Sequence, residues 1–184
     1  MPLSAKVSGL GDQFAQFNVY IANRPNFSGY PTTDLINPLS AGEIRAIGQD
    51  CGNGWRKVFN VYAKLLFALN IDNIVSLQGA QSWQDFRDNV LLQKSSNTSL
   101  QFLPPQLANV TDENSNLVHI IMGKTYAKSL NLPQSLKWLD HEFAVDIHNK
   151  MLICPYFDYR QLSNIKIMRL VEMIKQLRET TFNF

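Results

Sequence analysis

The sequence predicts an α/β domain: a three-layer α/β/α sandwich with a central, mainly parallel sheet of about four or five strands. Short, largely apolar runs at residues 17–22, 117–122 and 151–154 resemble buried parallel strands. Segments with a 3.6-residue apolar period alternate with these runs, as expected for a sheet covered by helices on both faces. We see no internal repeat or linker, so we expect a single domain over residues 1–184.

The amino-terminal third predicts one strand, a long loop and a short helix. The strand at residues 17–22 ends at the polar, proline-containing stretch 23–26. A long loop then runs to Ser40, and loops of this length often carry function. Ser40 and Glu43 have the spacing of a capping box, so we expect a short helix from residue 41.

The middle of the chain contains the clearest helix, which follows the breaker sequence at residues 52–54. After it, residues 74–77 predict a short strand and residues 83–92 a helix. Residues 94–99 are polar and are expected to be exposed. The apolar stripe of the clearest helix is Trp55, Val58, Phe59, Tyr62, Leu65, Leu66 and Leu69.

The carboxyl-terminal half alternates strands and helices. A strand at residues 117–122 leads directly into a helix at 124–130, and residues 136–139 predict a helical turn. Two apolar segments, 143–147 and 151–154, flank a turn. The chain closes with an amphipathic helix whose inward side chains are predicted to be Ile167, Met168, Val171, Ile174 and Leu177.

Composition excludes several classes of protein. The chain has 184 residues with 45% hydrophobic and 17% charged residues, and its net charge is only +2. It therefore has the apolar content of a globular protein and lacks the strong overall basic field of many nucleic-acid binders. Residues 1–16 do not form a secretory signal, and no apolar run approaches the ~20 residues that span a bilayer. We expect a cytoplasmic protein without a membrane partner.

The two cysteines, Cys51 and Cys154, lie far apart and do not form a metal-ligand pair. Two thiols cannot by themselves hold an iron–sulfur cluster or a four-sulfur zinc site. We therefore expect reduced thiols and no cofactor. Pairing of Cys154 with His119 or His141 as nucleophile and base remains open. The apolar run before Cys154 favours an inert, buried thiol, and the strand around His119 favours a hydrogen-bonded core histidine.

Two further motifs favour structural interpretations. Gly123-Lys124-Thr125 suggests a phosphate loop, but that motif needs a glycine where this chain has Val118. Gly123 is therefore interpreted as a turn or a close packing contact. Strand alternation predicts that Asp146 points to solvent, so no metal site is predicted for the densest set of candidate ligands: Asp140, His141, Glu142, Asp146 and His148.

The segment 154–160 has two open interpretations. Its aromatic residues interleave with Asp158 and Arg160 before the last helix. Aromatic and arginine side chains can stack on a base and contact phosphate. The same residues can lock the loop onto the core, with Asp158 and Arg160 paired, and loop aromatics often have this packing role.

Four segments together resemble the uracil-DNA glycosylase superfamily, especially its shorter bacterial branches. Residues 19–26 look like the family's first strand and Gly-Glu-x-Pro-Gly motif, and residues 52–55 like the segment after its Pro-Phe loop. Residues 118–127 are similar to its third strand, Gly-Lys pair and helix. Residues 153–156 occupy the place of its His-Pro-Ser motif, and the closing helix follows. The resemblance covers most of the chain and implies the same fold.

The chain departs from this family where the family's chemistry lies. Asn23 stands at the acidic position that activates water, and an amide cannot act as a carboxylate base. Cys154 stands at the position of the second-motif histidine, and Gln78 stands roughly where the family has its uracil-reading asparagine. The resemblance therefore implies the fold, and the departures predict that base excision is absent.

The carboxyl ends of parallel strands form the expected site, since ligands bind there in open α/β sheets. We expect a cleft that binds a nucleotide or a nucleic acid and that also includes the loop 29–38. Two alternatives remain open: a hydrolase with relocated catalytic groups, Asp158 or Cys154, and a non-enzymatic protein-interaction module. The candidate ligand-binding residues are Asn23, Arg24, Asn26, Gln78, Tyr156, Asp158 and Arg160.

Overall fold

The computed structural model describes residues 7–27, 35–70, 75–107 and 116–179. Within these ranges the chain forms eight strands and five helices. The strands are β1 Gly9–Gly11, β2 Phe17–Tyr20, β3 Ile36–Asn37, β4 Thr98–Gln101, β5 Val118–Met122, β6 Lys137–Trp138, β7 Ala144–Asp146 and β8 Met151–Cys154. The helices are α1 Glu43–Asp50, α2 Asn53–Leu69, α3 Trp83–Asn89, α4 Lys124–Ser129 and α5 Asn164–Glu179.

All the described strands belong to one sheet, in the order β3-β1-β4-β2-β5-β8-β7-β6. The four central strands, β4, β2, β5 and β8, are parallel to one another. Antiparallel pairs join β1 to β4 on one side and β8, β7 and β6 on the other. The α/β class with a parallel central sheet is confirmed. The sheet is mixed and has eight described strands, more than the predicted four or five.

One face of the sheet carries most of the helical mass. Side chains at alternate strand positions, such as Val19, Ile120 and Leu152, belong to one apolar cluster with α1, α2, α3 and α5. Helix α2 contacts α1, α3 and α5. The predicted stripe of α2 is buried from Val58 onward, and Trp55 is partly buried against the same cluster. In α5, Met168 is 48% exposed and does not point inward as predicted.

The opposite face is covered more thinly. Tyr20, Ile121 and Ile153 point to this face and form a second, smaller cluster with Ala127 of α4. Helix α4 has six residues and is the described helix that packs on these strands from this side. The two helical layers are therefore unequal. Helices α1, α2, α3 and α5 cover one face of the sheet, and α4 covers the other.

Two segments that were not predicted as strands form β4 and β6 in the structure. Residues 94–99 were expected to be exposed, yet Thr98 and Ser99 are fully buried at the start of β4. Their polar groups are satisfied there: the Tyr62 hydroxyl donates to the Ser99 carbonyl at 2.8 Å, and the Ser96 and Thr98 hydroxyls lie 2.8 Å apart. Hydrogen-bonded polar side chains can be buried at low cost, so polarity alone did not indicate exposure.

The helical turn expected at residues 136–139 is the edge strand β6, where Lys137 pairs with Val145 of β7. The strand expected at 74–77 begins outside the described residues, and its described part, 75–77, is not a strand. The hairpin of β7 and β8 and the closing helix α5 are confirmed.

Candidate functional site

The central parallel strands end side by side at one edge of the sheet. Tyr20 pairs with Ile121 and Met122 pairs with Cys154 at the last positions of β2, β5 and β8. The segments that follow these strands therefore emerge together, and the first turn of α2 lies against them. We call this surface the carboxyl edge; it comprises Asn23, Arg24, Trp55, Lys57, Phe102, Tyr156, Asp158, Tyr159 and Arg160.

One part of the carboxyl edge is a stack of a cation on two aromatic rings. The Arg24 guanidinium carbon lies 5.7 Å from the centre of the Phe102 ring, a cation–π distance. Phe102 in turn meets the Trp55 ring edge-to-face, with ring centres 6.5 Å apart. Residue 102 directly follows β4 and residue 55 lies in the first turn of α2, so the stack joins these two elements.

The second part is centred on the loop after β8. The Lys57 ammonium lies 3.0 Å from Asp158 Oδ2 and 4.9 Å from the centre of the Tyr159 ring. The Arg160 guanidinium carbon lies 5.9 Å from the same ring, which is 54% exposed. Two cations therefore contact one solvent-accessible aromatic ring.

Asp158 is bound differently from the expectation. Its carboxylate forms its ion pair with Lys57 of α2, while Arg160 contributes a backbone N–H that donates to Oδ1 at 3.0 Å. This backbone hydrogen bond, followed by the hydrogen bond from Lys57, lowers the pKa of Asp158. One of the two interpretations of the sequence paired the side chains of Asp158 and Arg160. In the structure the Asp158 carboxylate instead forms a longer-range contact that ties the loop to α2.

A side-chain hydrogen bond joins Asn23 to the Tyr156 hydroxyl, linking the segment after β2 to the segment after β8. Burial raises the pKa of Tyr156, and the bond from Asn23 partly offsets that rise. Gly123 lies between them: it has φ 97°, and an added Cβ would stand 3.9 Å from the Tyr156 ring. The predicted turn role of Gly123 is confirmed.

The structure separates one predicted residue from the others. Gln78 Nε2 donates to the carbonyl of Ser95 at 2.9 Å. Ser95 lies three residues before the start of β4 at Thr98. Gln78 therefore lies at the amino end of the parallel strands, opposite the carboxyl edge. Asn26 is exposed in the segment after β2. Of the loop 29–38, residues 29–34 lie outside the described ranges.

The two suggested nucleophile–base pairs are not assembled. Cys154 is fully buried in the helix-facing cluster, and burial raises its pKa, so its thiol stays protonated. His119 points to the opposite face, where its Nδ1 lies 2.8 Å from the Tyr20 hydroxyl. Burial lowers the pKa of His119 to about 4, so it is neutral at pH 7 and is the predicted core histidine. His141 is largely exposed.

No cluster of three or more metal-binding side chains occurs in the described part of the chain. The solvent-facing position predicted for Asp146 is wrong: it is fully buried. Its carboxylate accepts hydrogen bonds from Ser135 Oγ at 2.7 Å and from the Asn149 side chain at 2.7 Å. Asp140 pairs with Arg169 at 2.6 Å. These carboxylates are engaged in structural contacts within this region.

Sequence reasoning did not assign Trp55, Lys57 and Phe102 to the site. The carboxyl-end rule applies to segments that follow a parallel strand. It did not indicate Trp55 or Lys57, because α2 follows α1 and not a strand. It did not indicate Phe102, because the strand before it was interpreted as an exposed polar segment.

None of the helices in the described ranges combines the length and apolarity needed to cross a bilayer. The chain matches no curated protein and no solved structure. Residues 8–175 match a protein family described as "Family of unknown function (DUF6942)". This match spans nearly all of the sheet and helices described above. The chain therefore belongs to the DUF6942 family of unknown function.

Proposed function

We propose that the carboxyl edge binds a nucleotide or the end of a single-stranded nucleic acid. The observation that carries this proposal is the pairing of cations with aromatic rings along one edge: Arg24 with Phe102, and Lys57 and Arg160 with Tyr159. Bases stack on exposed aromatic rings, and arginine and lysine contact phosphate oxygens. The carboxyl edge therefore contains both the aromatic rings and the cations that such a ligand needs.

The start of α2 supports an anionic ligand at this edge. The helix has 17 residues, its N-cap Gly52 provides no side-chain hydrogen bond, and its first turn contains no acidic residue. No acidic side chain of the helix's own first turn therefore offsets the partial positive charge of its terminus. Added Cβ atoms at Gly52 and Gly54 would meet nothing within 4 Å, so the backbone there is open to approach.

Binding without base excision fits the resemblance to uracil-DNA glycosylases and its departures. Asn23, at the family's acidic position, has its side chain bonded to Tyr156. Cys154, at the histidine position, is a buried and protonated thiol. Neither residue offers a base or a cation to an excision reaction.

The hydrolase alternative has weaker support. Cys154 is inaccessible, and the lowered pKa of Asp158 makes its carboxylate a weak base.

A protein-interaction module is the second candidate function. A groove of about 350 Å³ between α2 and α5 is lined by Phe67, Trp83, Ile167 and Met168. Ile165, nearby on α5, is 84% exposed. An exposed apolar surface of this kind favours contact with another protein.

The proposal is tested with a fluorescently labelled single-stranded oligonucleotide, titrated at low and moderate salt and followed by anisotropy. We expect saturable binding that weakens as salt increases, because phosphate contacts release counterions. Arg24→Ala and Arg160→Ala should each weaken binding and reduce the salt slope by about 1. Competition with a mononucleotide distinguishes a nucleotide site from an extended strand site.

Tyr159 provides the sharpest control. Tyr159→Ala should cost about 1–3 kcal/mol of binding free energy, whereas Tyr159→Phe keeps the ring and should bind like the unmodified protein. Lys94→Ala removes an exposed cation near the amino ends of the parallel strands, away from the carboxyl edge, and should leave the oligonucleotide affinity unchanged. Absence of oligonucleotide and mononucleotide binding at low salt would overturn the proposal.

A further inference from the structure

A cavity lies among α1, α2 and α3, away from the loops that follow the strands. Its volume is about 470 Å³, within the usual range of about 300–1,000 Å³ for small-molecule sites. Gly48 and Gln49 line it from α1, and Phe59 and Asn60 from α2. Phe59 is fully buried in the core, so it lies beneath the floor of the cavity.

Three arginines line this cavity, one from each helix: Arg45 of α1, Arg56 of α2 and Arg87 of α3. None of the described residues lining it is acidic. Arg45 and Arg56 are exposed and form no hydrogen bond or ion pair with the described part of the chain. Their donors are therefore available to a ligand, and an excess of positive charge around one concave surface favours an anion.

Arg87 is held in place within the protein. Its Nε and Nη2 donate to the two oxygens of Asp88 at 2.7 and 2.9 Å, and its Nη1 donates to Asn60 Oδ1 at 2.7 Å. The guanidinium carbon also lies 5.6 Å from the centre of the Trp83 ring. These contacts fix its position, so one wall of the cavity is pre-organised. One carboxylate against three guanidinium groups leaves an excess of positive charge.

We propose that this arginine cavity binds the phosphate group of a small phosphorylated ligand. The N–H groups of a guanidinium are spaced to donate two parallel hydrogen bonds to phosphate oxygens. Hydrogen bonds between a guanidinium and a phosphate are stronger than hydrogen bonds between neutral groups. Gln49 and Asn60 supply neutral polar groups beside the arginines. This site is independent of the carboxyl edge, since Arg56 and Lys57 are neighbours in sequence but line different surfaces.

The test uses inorganic pyrophosphate as the probe, titrated into the full chain at low salt by isothermal titration calorimetry. We expect saturable binding to one site. Arg45→Ala and Arg56→Ala should each weaken it by about tenfold or more, because each removes charged hydrogen bonds. Both residues are exposed, so the variants should fold, and circular dichroism of each variant checks this. Trp83 fluorescence provides a local second readout, since its ring contacts Arg87.

Control variants distinguish the arginine cavity from the carboxyl edge. Arg24→Ala and Tyr159→Ala change only the carboxyl edge, so they should leave pyrophosphate binding unchanged. An oligonucleotide arm identifies the source of the phosphate. A small phosphorylated ligand is supported if the oligonucleotide does not displace pyrophosphate, and a nucleic-acid phosphate is supported if it displaces pyrophosphate in an Arg56-dependent way. Absence of saturable pyrophosphate binding, or an equal loss in Arg24→Ala and Arg56→Ala, would overturn the inference.

Discussion

The Lys57 ammonium lies 3.0 Å from the Asp158 carboxylate, and this ion pair joins the second turn of α2 to the loop after β8. The two residues are 101 positions apart in the chain. Their side chains are 15% and 21% exposed, so the pair is shielded more than an ordinary surface ion pair. It orients the loop that carries Tyr159 and Arg160, and thereby the proposed binding surface.

The first prediction concerns the strength of this ion pair. A double-mutant cycle with Lys57→Met and Asp158→Asn should give a coupling free energy of about 0.5–1 kcal/mol, measured by urea denaturation. The Glu172–Lys175 pair is an exposed contact within α5 and serves as the matched control. Its cycle should give a smaller coupling, of about 0.2–0.5 kcal/mol. Zero coupling between Lys57 and Asp158 would show that the pair does not hold the loop.

The second prediction is a pH dependence of stability caused by His119. Burial lowers its pKa from 6.5 to about 4, so between these values the unfolded chain binds a proton that the folded chain does not. The contribution of His119 to the free energy of unfolding is therefore fully present above pH 6.5 and is lost as the pH decreases towards 4. The full difference corresponds to about 3 kcal/mol. Urea denaturation at pH 7 and pH 5 measures the slope.

His119→Gln should remove most of this slope, because glutamine does not titrate. His141→Gln is the matched control for the substitution itself, since it replaces a histidine that is 81% exposed. A slope that persists in His119→Gln would assign the pH dependence to other groups.

The third prediction distinguishes the two thiols. Cys154 is fully buried and its pKa is raised by burial, whereas Cys51 is partly exposed. Under native conditions iodoacetamide should label Cys51 well before Cys154, and denaturant should make both reactive. Mass spectrometry of digested samples over time measures the two rates. Equal native rates would contradict the burial of Cys154 and would revive its role as a nucleophile.

The fourth prediction compares two glycines. Gly123 has φ 97° and is followed directly by α4, so Gly123→Ala should destabilise the protein by about 1–2 kcal/mol. Gly54 lies in the first turn of α2, and an added Cβ would meet nothing within 4 Å. Gly54→Ala should therefore stabilise the protein by about 0.4–1 kcal/mol. Thermal denaturation of both variants tests the prediction, and destabilisation by both would contradict it.

Elements with strong local signals were predicted well. Helix α2 and strand β5 were correct because their apolar patterns extend over several turns or over a whole strand. Strands β4 and β6 were missed, because the short polar sequences 98–101 and 137–138 become strands only by pairing with neighbours.

The candidate site divides in a similar way. The carboxyl-end rule correctly placed Asn23 and Tyr156 near each other, since both follow parallel strands. Gln78 was placed wrongly, because the strand expected before it is not a strand in the described residues. The arginine cavity had no sequence signal at all, because its three arginines come from three different helices.

The sequence by itself determined the α/β class, the parallel centre of the sheet and the edge at which strand-end residues gather. These properties follow from apolar periods and turn residues within short stretches of chain. Tertiary structure alone decided the partners of the polar groups: Lys57 with Asp158, Tyr20 with His119, and Ser135 with Asp146. The reason is physical, because a hydrogen bond or ion pair depends on a separation of about 3 Å between atoms, and distant parts of a chain reach that separation only after the sheet and helices have packed.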